Sequence, residues 1–128
     1  MGTWAASLSG SLCALLAVGL TGFGLGARAQ DDGEQLFRRT CGICHTVQPD
    51  QNRIGPSLAG IVGRKAGTVP GFNYSEANKD SNVTWDEANL GQYLTDPQKF
   101  MPGTKMIYAG MKDPAQRRAV IAYLKNPK

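Results

Sequence analysis

The run Cys41-Gly42-Ile43-Cys44-His45 constrains this chain more than any other stretch. Two cysteines three positions apart share one face of a helical turn. Each thiol can then add across one vinyl group of the same porphyrin. His45, next to Cys44, can rise beside that macrocycle and offer the iron an imidazole nitrogen. This is the attachment pattern of a covalently held c-type haem. His45 is also the single histidine of the sequence, so a proximal histidine ligand has no other source. Other chemistries fit less well. A structural zinc site takes four Cys or His ligands, and a second ligand pair is missing. A thioredoxin-like pair wants a preceding strand in a βαβ setting, whereas the residues that follow are rich in Gly, Pro and Asn. A disulfide between Cys41 and Cys44 closes too small a ring to gain much entropy.

The N-terminal segment reads as an export signal. Residues 8–29 hold one charge, Arg28, behind an apolar stretch at 12–20. Ala27-Arg28-Ala29 fits the small-x-small cleavage rule. We therefore expect residues 1–29 to be a cleavable secretory signal peptide and residues 30–128 to form a single domain. Cys13 leaves with the signal. The usual basic start is missing, because the first ten residues contain no Lys or Arg. The alternative is a retained membrane anchor, for which the apolar run is at the lower limit of length and is loosened by glycines. Export combined with haem attachment points to a bacterial periplasm.

A domain of this size has a marginal core. The 16 glycines and 7 prolines of the chain raise the entropy cost or force loops. A large apolar group at the centre relieves both problems, so the haem-free polypeptide is expected to be largely unfolded. The formal charge of +4 falls by one when Arg28 leaves with the signal. No Lys/Arg run or basic stripe accompanies it, which excludes a nucleic-acid partner. A mild positive surface instead suits steering toward acidic proteins.

Along the domain, residues 33–40 read as a short helix led by Asp31, Asp32 and Glu34 at its positive end. Residues 48–68 read as loop, punctuated by Gly55-Pro56, Gly60, Gly63 and Gly67. Residues 75–78 suggest one helical turn. Thr84-Trp85-Asp86-Glu87 matches a capping box with Thr84 as N-cap, opening a helix that ends near Thr95 and turns Leu90, Tyr93 and Leu94 inward. Pro97 interrupts it. Asp113-Pro114 starts a last helix, with Val120, Ile121 and Leu124 as its apolar stripe. No segment alternates as a strand does. The expected class is all-α: three main helices plus short helical turns and loops wrapped around one covalent haem.

His45 fills one axial position of the iron. The other can stay open, which suits gases and peroxide, or take a methionine, which favours electron transfer. After residue 30 the methionines are Met101, Met106 and Met111. A methionine by default packs a core. Met106 differs because it follows Pro102-Gly103-Thr104-Lys105 in an irregular loop that can approach the open haem face. On pattern alone, both alternatives stand.

From about residue 33 to 125 the chain resembles the class I c-type cytochromes, the family of mitochondrial cytochrome c and its soluble bacterial periplasmic relatives. The matching pieces are Cys41 to Val47, Gly55-Pro56-Ser57-Leu58, Gly63-Arg64-Lys65-Ala66-Gly67, Pro70-Gly71-Phe72-Asn73-Tyr74, Ala77-Asn78-Lys79, Thr84-Trp85, Tyr93-Leu94, Pro102 to Met106, Ala109-Gly110 and Leu124-Lys125. The resemblance implies one haem c bound through Cys41 and Cys44, with His45 and Met106 as iron ligands. It implies that the Pro56 carbonyl receives the free ring N–H of His45. Tyr74 and Trp85 resemble the residues that hydrogen-bond the haem propionates, and Arg64 the cation that helps neutralise them. Asn78, Tyr93 and Thr104 resemble the polar network beside the methionine. Gly33, Phe37, Tyr123 and Leu124 resemble the contact between first and last helices, and Leu58 and Phe72 the haem-pocket lining.

The chain departs from the mitochondrial pattern in several places. The loop from His45 to Pro56 is one residue shorter. Tyr108 stands where the family has Phe beside the methionine. Gln98 and Asp113 replace lysines around the haem edge, leaving Arg53, Lys99, Lys105 and Lys112 on that face. The implied function is a non-enzymatic, monomeric periplasmic one-electron carrier with no stable membrane insertion after cleavage. It would shuttle electrons from a bc-type complex or dehydrogenase to an oxidase or a photosynthetic reaction centre. The rivals are a membrane-tethered cytochrome subunit and a haem protein with a labile sixth site, peroxidase-like or gas-binding. The second rival needs a distal acid/base group, and there is no second histidine to provide one.

Overall fold

A computed structural model describes residues 1–3 and 24–128. The apolar stretch at 12–20 and Cys13 lie outside the described residues. Among the described residues five helices follow one another: α1 (Gly24–Thr40), α2 (Glu76–Asp80), α3 (Glu87–Thr95), α4 (Pro97–Phe100) and α5 (Pro114–Lys125). Among the described residues the only β pairing is one isolated antiparallel bridge, Lys65 to Thr84. No described helix is long and apolar enough to cross a membrane. The architecture is thus a small all-α fold of three main helices, α1, α3 and α5, with two short ones.

The frame is set by α1 crossing α5, the most extensive helix–helix contact. Gly33 makes that crossing possible. A Cβ placed there would lie 2.1 Å from the Ala119 carbonyl oxygen and 3.0 Å from the Tyr123 Cβ. Beside this close approach Phe37 stacks on Tyr123 with ring centroids 5.4 Å apart. Leu36, Phe37, Val120, Tyr123 and Leu124 are all buried at the seam. The expectation of a helix starting at residue 33 needs correction. Gly33 lies inside α1, not at its head, because there it serves contact with α5. The described helix accordingly has no acidic residue in its first turn.

The cap of α3 also differs from expectation. Asp86, not Thr84, is the N-cap, and its carboxylate accepts from the Asn89 backbone N–H at 2.7 Å. Thr84 is committed elsewhere: it pairs with Lys65 in the bridge, and its carbonyl accepts from the Asn89 side chain at 2.9 Å. Glu87 does not turn back to a cap but reaches Lys125 of α5 as an exposed ion pair. Such a pair contributes little free energy. Of the other caps, Asp113 is as expected, whereas Ser75, read as the first residue of a turn, lies just before α2. Ser75 caps α2, and Asp113, followed by Pro114, caps α5 by accepting from the Ala115 N–H at 2.7 Å. Pro97 does end α3, but it also opens α4, with Asp96 as N-cap.

Leu90, Tyr93 and Leu94 of α3 turn inward, as do Val120, Ile121 and Leu124 of α5. Trp85, Tyr93 and Phe100 form an aromatic cluster with centroid separations of 4.8 to 6.3 Å. The core is small for the chain. Against it pack apolar side chains that remain only half-covered: Cys41, Val47, Leu58, Val62, Met106 and Tyr108. They come from the turn after α1, the 47–62 loop and the loop between α4 and α5.

Candidate haem site

The site begins where α1 ends. After Thr40 the chain keeps turning, with the Cys44 and His45 N–H groups both donating to the Cys41 carbonyl at 3.0 and 2.9 Å. This turn sets the two thiols and the imidazole on one short arc. Both cysteines are free thiols, each half-buried. Burial, with Cys44 adding to it, pushes the Cys41 thiol up to about 11. A helix leads into the pair, not the strand that a thioredoxin-like βαβ setting would supply. Among the described residues no cluster of three or more His, Cys, Asp or Glu side chains is placed to hold a metal ion.

His45 is fixed from behind. Its Nδ1 lies 2.8 Å from the Pro56 carbonyl oxygen. A carbonyl only accepts, so Nδ1 carries the proton and the lone pair sits on Nε2. Burial lowers the pKa of the ring, against a smaller upward effect of the Pro56 bond. The ring is therefore held neutral, the state a metal ligand needs. The partner loop is held in turn. The Gly55 N–H donates to the Cys44 carbonyl at 2.9 Å. Asn52 accepts from the Ser57 N–H at 3.0 Å and donates to the Pro70 carbonyl at 3.1 Å.

Sequence reasoning missed the role of Gly55 and read it only as a turn residue. A Cβ at Gly55 would sit 2.3 Å from Cε1, 2.6 Å from Nδ1 and 2.8 Å from Nε2 of His45. The imidazole lies flat against that backbone. The signal was present in the glycine preceding the proline, but only the fold shows which ring it faces.

The structure groups the other predicted residues in two places. On one side, Arg64 is half-buried and donates to the Ala59 and Ser57 carbonyls at 2.8 and 2.9 Å. Burial lowers its pKa, partly offset by Tyr74 nearby. The Tyr74 hydroxyl accepts a long bond from the Val69 N–H at 3.4 Å. Trp85 is 6% exposed, and its ring centroid lies 4.8 Å from that of Tyr93. On the other side, Thr104 is the hub. Its hydroxyl meets the Tyr93 hydroxyl at 2.9 Å, the Asn78 amide at 3.3 Å and the Met106 backbone N–H at 3.4 Å. Burial raises the Tyr93 pKa, against smaller opposite effects of its bonds to Thr104 and Asn78.

These residues suit a haem on several independent counts. Two thiols stand at the right spacing, the imidazole Nε2 is left by the Pro56 bond to Nδ1, and apolar side chains at the edge of the core remain half-covered. The cations expected at the edge are exposed, and most rest on backbone carbonyls. Arg53 donates to the Gly42 carbonyl at 2.9 Å, Lys105 to those of Asn73 and Tyr74 at 3.0 and 3.3 Å, and Lys112 to that of Thr95 at 2.7 Å. Lys99 is exposed on α4.

Fold and site together define a c-type haem protein, with a covalent attachment motif at the end of the first helix and a methionine-bearing loop before the last. Comparison with known proteins agrees. The family model described as Cytochrome c matches residues 30–128. The chain is 54% identical over 86 residues to cytochrome c2 iso-2 of Magnetospirillum fulvum, covering 67% of this chain and 90% of that protein. It is 47% identical over 94 residues to cytochrome c of Nigella damascena, covering 73% and 85%. Among solved structures, cytochrome cH from Methylobacterium extorquens superposes with a TM-score of 0.70 at 45% identity, covering 75% of this chain and 96% of that one. The chain belongs to the cytochrome c family. It is a one-electron carrier of the cytochrome c/c2 type with covalent haem c, shuttling electrons between redox proteins that dock at the haem edge, and it is not an enzyme.

Proposed function

We propose that this carrier works in a bacterial periplasm, with His45 Nε2 and Met106 Sδ as the two iron ligands and Cys41 and Cys44 as the thioether anchors. The observation that carries the reading is the His45–Pro56 bond of 2.8 Å, which commits Nδ1 and leaves Nε2 for iron. Bound haem supplies the Fe(III)/Fe(II) couple. Pro56 holds the imidazole in one tautomer and one orientation. The hub at Thr104, with Asn78 and Tyr93, fixes the backbone at Met106. A thioether held this way would stay in place in both oxidation states, so little would reorganise on electron transfer. Tyr74, Trp85 and Arg64 would receive the propionates, whose charge needs hydrogen-bond donors when it leaves bulk water.

Residues 1–29 act as the cleaved signal in this reading, and the family match beginning at residue 30 supports it. Cleavage after Ala29 would leave Asp31 and Asp32 in the new first turn of α1, where acidic side chains favour the helix dipole. N-terminal sequencing of the mature protein should begin at Gln30, and an intact Met1 terminus would sink the export proposal. Partner docking uses the cationic face of Arg53, Lys99, Lys105 and Lys112. Their charges steer association and make it salt-sensitive. Donors of bc or dehydrogenase type and acceptors of oxidase or reaction-centre type fit such a shuttle. The ligand assignment is tested with Met106→Ala. That variant should keep its covalent haem, lose the low-spin spectrum and fall in potential. Ready binding of carbon monoxide to the reduced wild-type protein at neutral pH would contradict a methionine-closed iron.

A further inference from the structure

Gln98 stands where the mitochondrial pattern has a lysine of the docking face, and docking gives it no role. In the structure its side chain turns toward the methionine loop. The Gln98 amide nitrogen donates to the Thr104 carbonyl at 3.1 Å and to the Met106 carbonyl at 3.2 Å. One amide group thus spans the two residues that bracket Lys105. The loop is therefore gripped twice. From inside, the Thr104 hydroxyl accepts from the Met106 N–H at 3.4 Å and is itself set by Tyr93 and Asn78. From outside, Gln98 takes the carbonyls of the same two residues.

Gln98 is well placed for this. It is the second residue of α4, a helix pinned at its start by the Asp96 cap and by Pro97, whose side chain is fully buried. Gly103, with φ of 90°, and Gly110, with φ of 95°, flank the loop. Non-glycine residues avoid such angles, so the chain turns sharply at these two points and the segment between them stands off as a loop. Of the tethers on that segment from the exposed side, Gln98 is the one that touches Met106 itself. Lys105, the other, reaches away to the Asn73 and Tyr74 carbonyls.

We infer that Gln98 is a positioning residue for the sixth iron ligand, an external latch that holds the Met106 loop closed and sets how readily Met106 gives way to an outside ligand. The inference rests on the proposal that Met106 binds the iron. An intruding ligand binds only the fraction of molecules whose loop is open, so its apparent affinity scales with that fraction. Two hydrogen bonds of ordinary strength, both partly open to water, are expected to change the fraction by about three- to tenfold.

The experiment is a titration of the ferric holoprotein with imidazole, read by the optical spectrum. Wild type, Gln98→Ala, Gln98→Glu and Met106→Ala are compared, alongside amide hydrogen exchange and thermal melting. Glu preserves size but offers no N–H and sets a carboxylate against two carbonyls. The expected result is about three- to tenfold tighter apparent imidazole binding for Gln98→Ala, and at least as much for Gln98→Glu. Faster exchange should be confined to residues near 104–108, with the melting temperature of the whole fold nearly unchanged. Met106→Ala should bind imidazole more tightly still. If Met106→Ala tightens binding while both Gln98 variants match wild type, the latch is refuted and the ligand assignment survives. If Met106→Ala also matches wild type, the ligand assignment fails and the latch falls with it. If the Gln98 variants lower melting and loosen exchange evenly over the chain, Gln98 is a general support and the latch is likewise refuted.

Discussion

Replacing Gly55 with alanine tests the geometry behind His45 most directly. The added Cβ would meet three atoms of the imidazole at 2.3, 2.6 and 2.8 Å. Ordinary carbon contacts lie near 3.5–4.0 Å, so the ring must retreat by about an ångström. It cannot slide freely, because Nδ1 is bound to the Pro56 carbonyl at 2.8 Å and the loop is tied to Cys44 through the Gly55 N–H. Overpacking of this kind costs about 1–3 kcal/mol. Stretching the Pro56 bond adds about 0.5–1.5 kcal/mol. Alanine also stiffens the unfolded chain, which returns about 0.4–1 kcal/mol. The φ of Gly55 is not positive, so no backbone strain enters. The net is about 2 kcal/mol of lost stability, or roughly 8–16 °C in Tm for a domain of this size. The assay is thermal and denaturant melting of the holoprotein, with the optical spectrum as a check on histidine ligation. A Gly55→Ala protein that melts within about 2 °C of wild type with an unchanged spectrum would show that the imidazole does not lie against this backbone.

Other consequences can be checked in the same way. Gly33→Val places side-chain atoms where a single Cβ already falls 2.1 Å from the Ala119 carbonyl, so α1 and α5 must separate. A loss of about 3 kcal/mol or more is expected in a denaturant melt. Tyr93 carries a pKa raised above its ordinary 10.0 by burial. A raised value means the fold holds this proton more tightly than the unfolded chain does, so stability is complete below pH 10 and falls as pH rises toward the folded pKa. Tyr93→Phe should flatten that alkaline decline while costing about 0.5–1.5 kcal/mol near neutrality from the lost Thr104 bond, as measured by melting across pH. Burial lowers the His45 pKa, so in the haem-free chain any folded population should fall as pH drops below 6.5. Haem-free protein should be largely unfolded by circular dichroism, and a cooperative, native-like melt would refute this.

Much of this was legible in the chain itself. Local chemistry is written in neighbouring residues. Cys41, Cys44 and His45 announce attachment through spacing alone, and Asp113-Pro114 announces a helix start because a cap bonds within its own turn. The inward faces of α3 and α5 follow from their 3.6-residue period. Met106 was singled out by its loop, and the family resemblance gave it a role. The errors arose where a residue answers to something distant in sequence. Thr84 resembled a cap but is taken by Lys65, leaving the cap to Asp86. Local pattern put a helix start at Gly33, whereas the family resemblance rightly placed it at the contact of the first and last helices.

What the sequence by itself determined is therefore the anchor for the cofactor, the helical class and the short-range signals that start and stop each helix. Only the tertiary structure decided what packs against His45 and what holds the Met106 loop. Gly55 must lack a side chain because His45 lies against it, and Gln98 matters because α4 delivers its amide to the Thr104 and Met106 carbonyls. The physical reason is range. Spacing along the chain fixes what a turn or helix face can do, whereas a steric limit or a hydrogen bond between separate elements exists only once packing has brought them together.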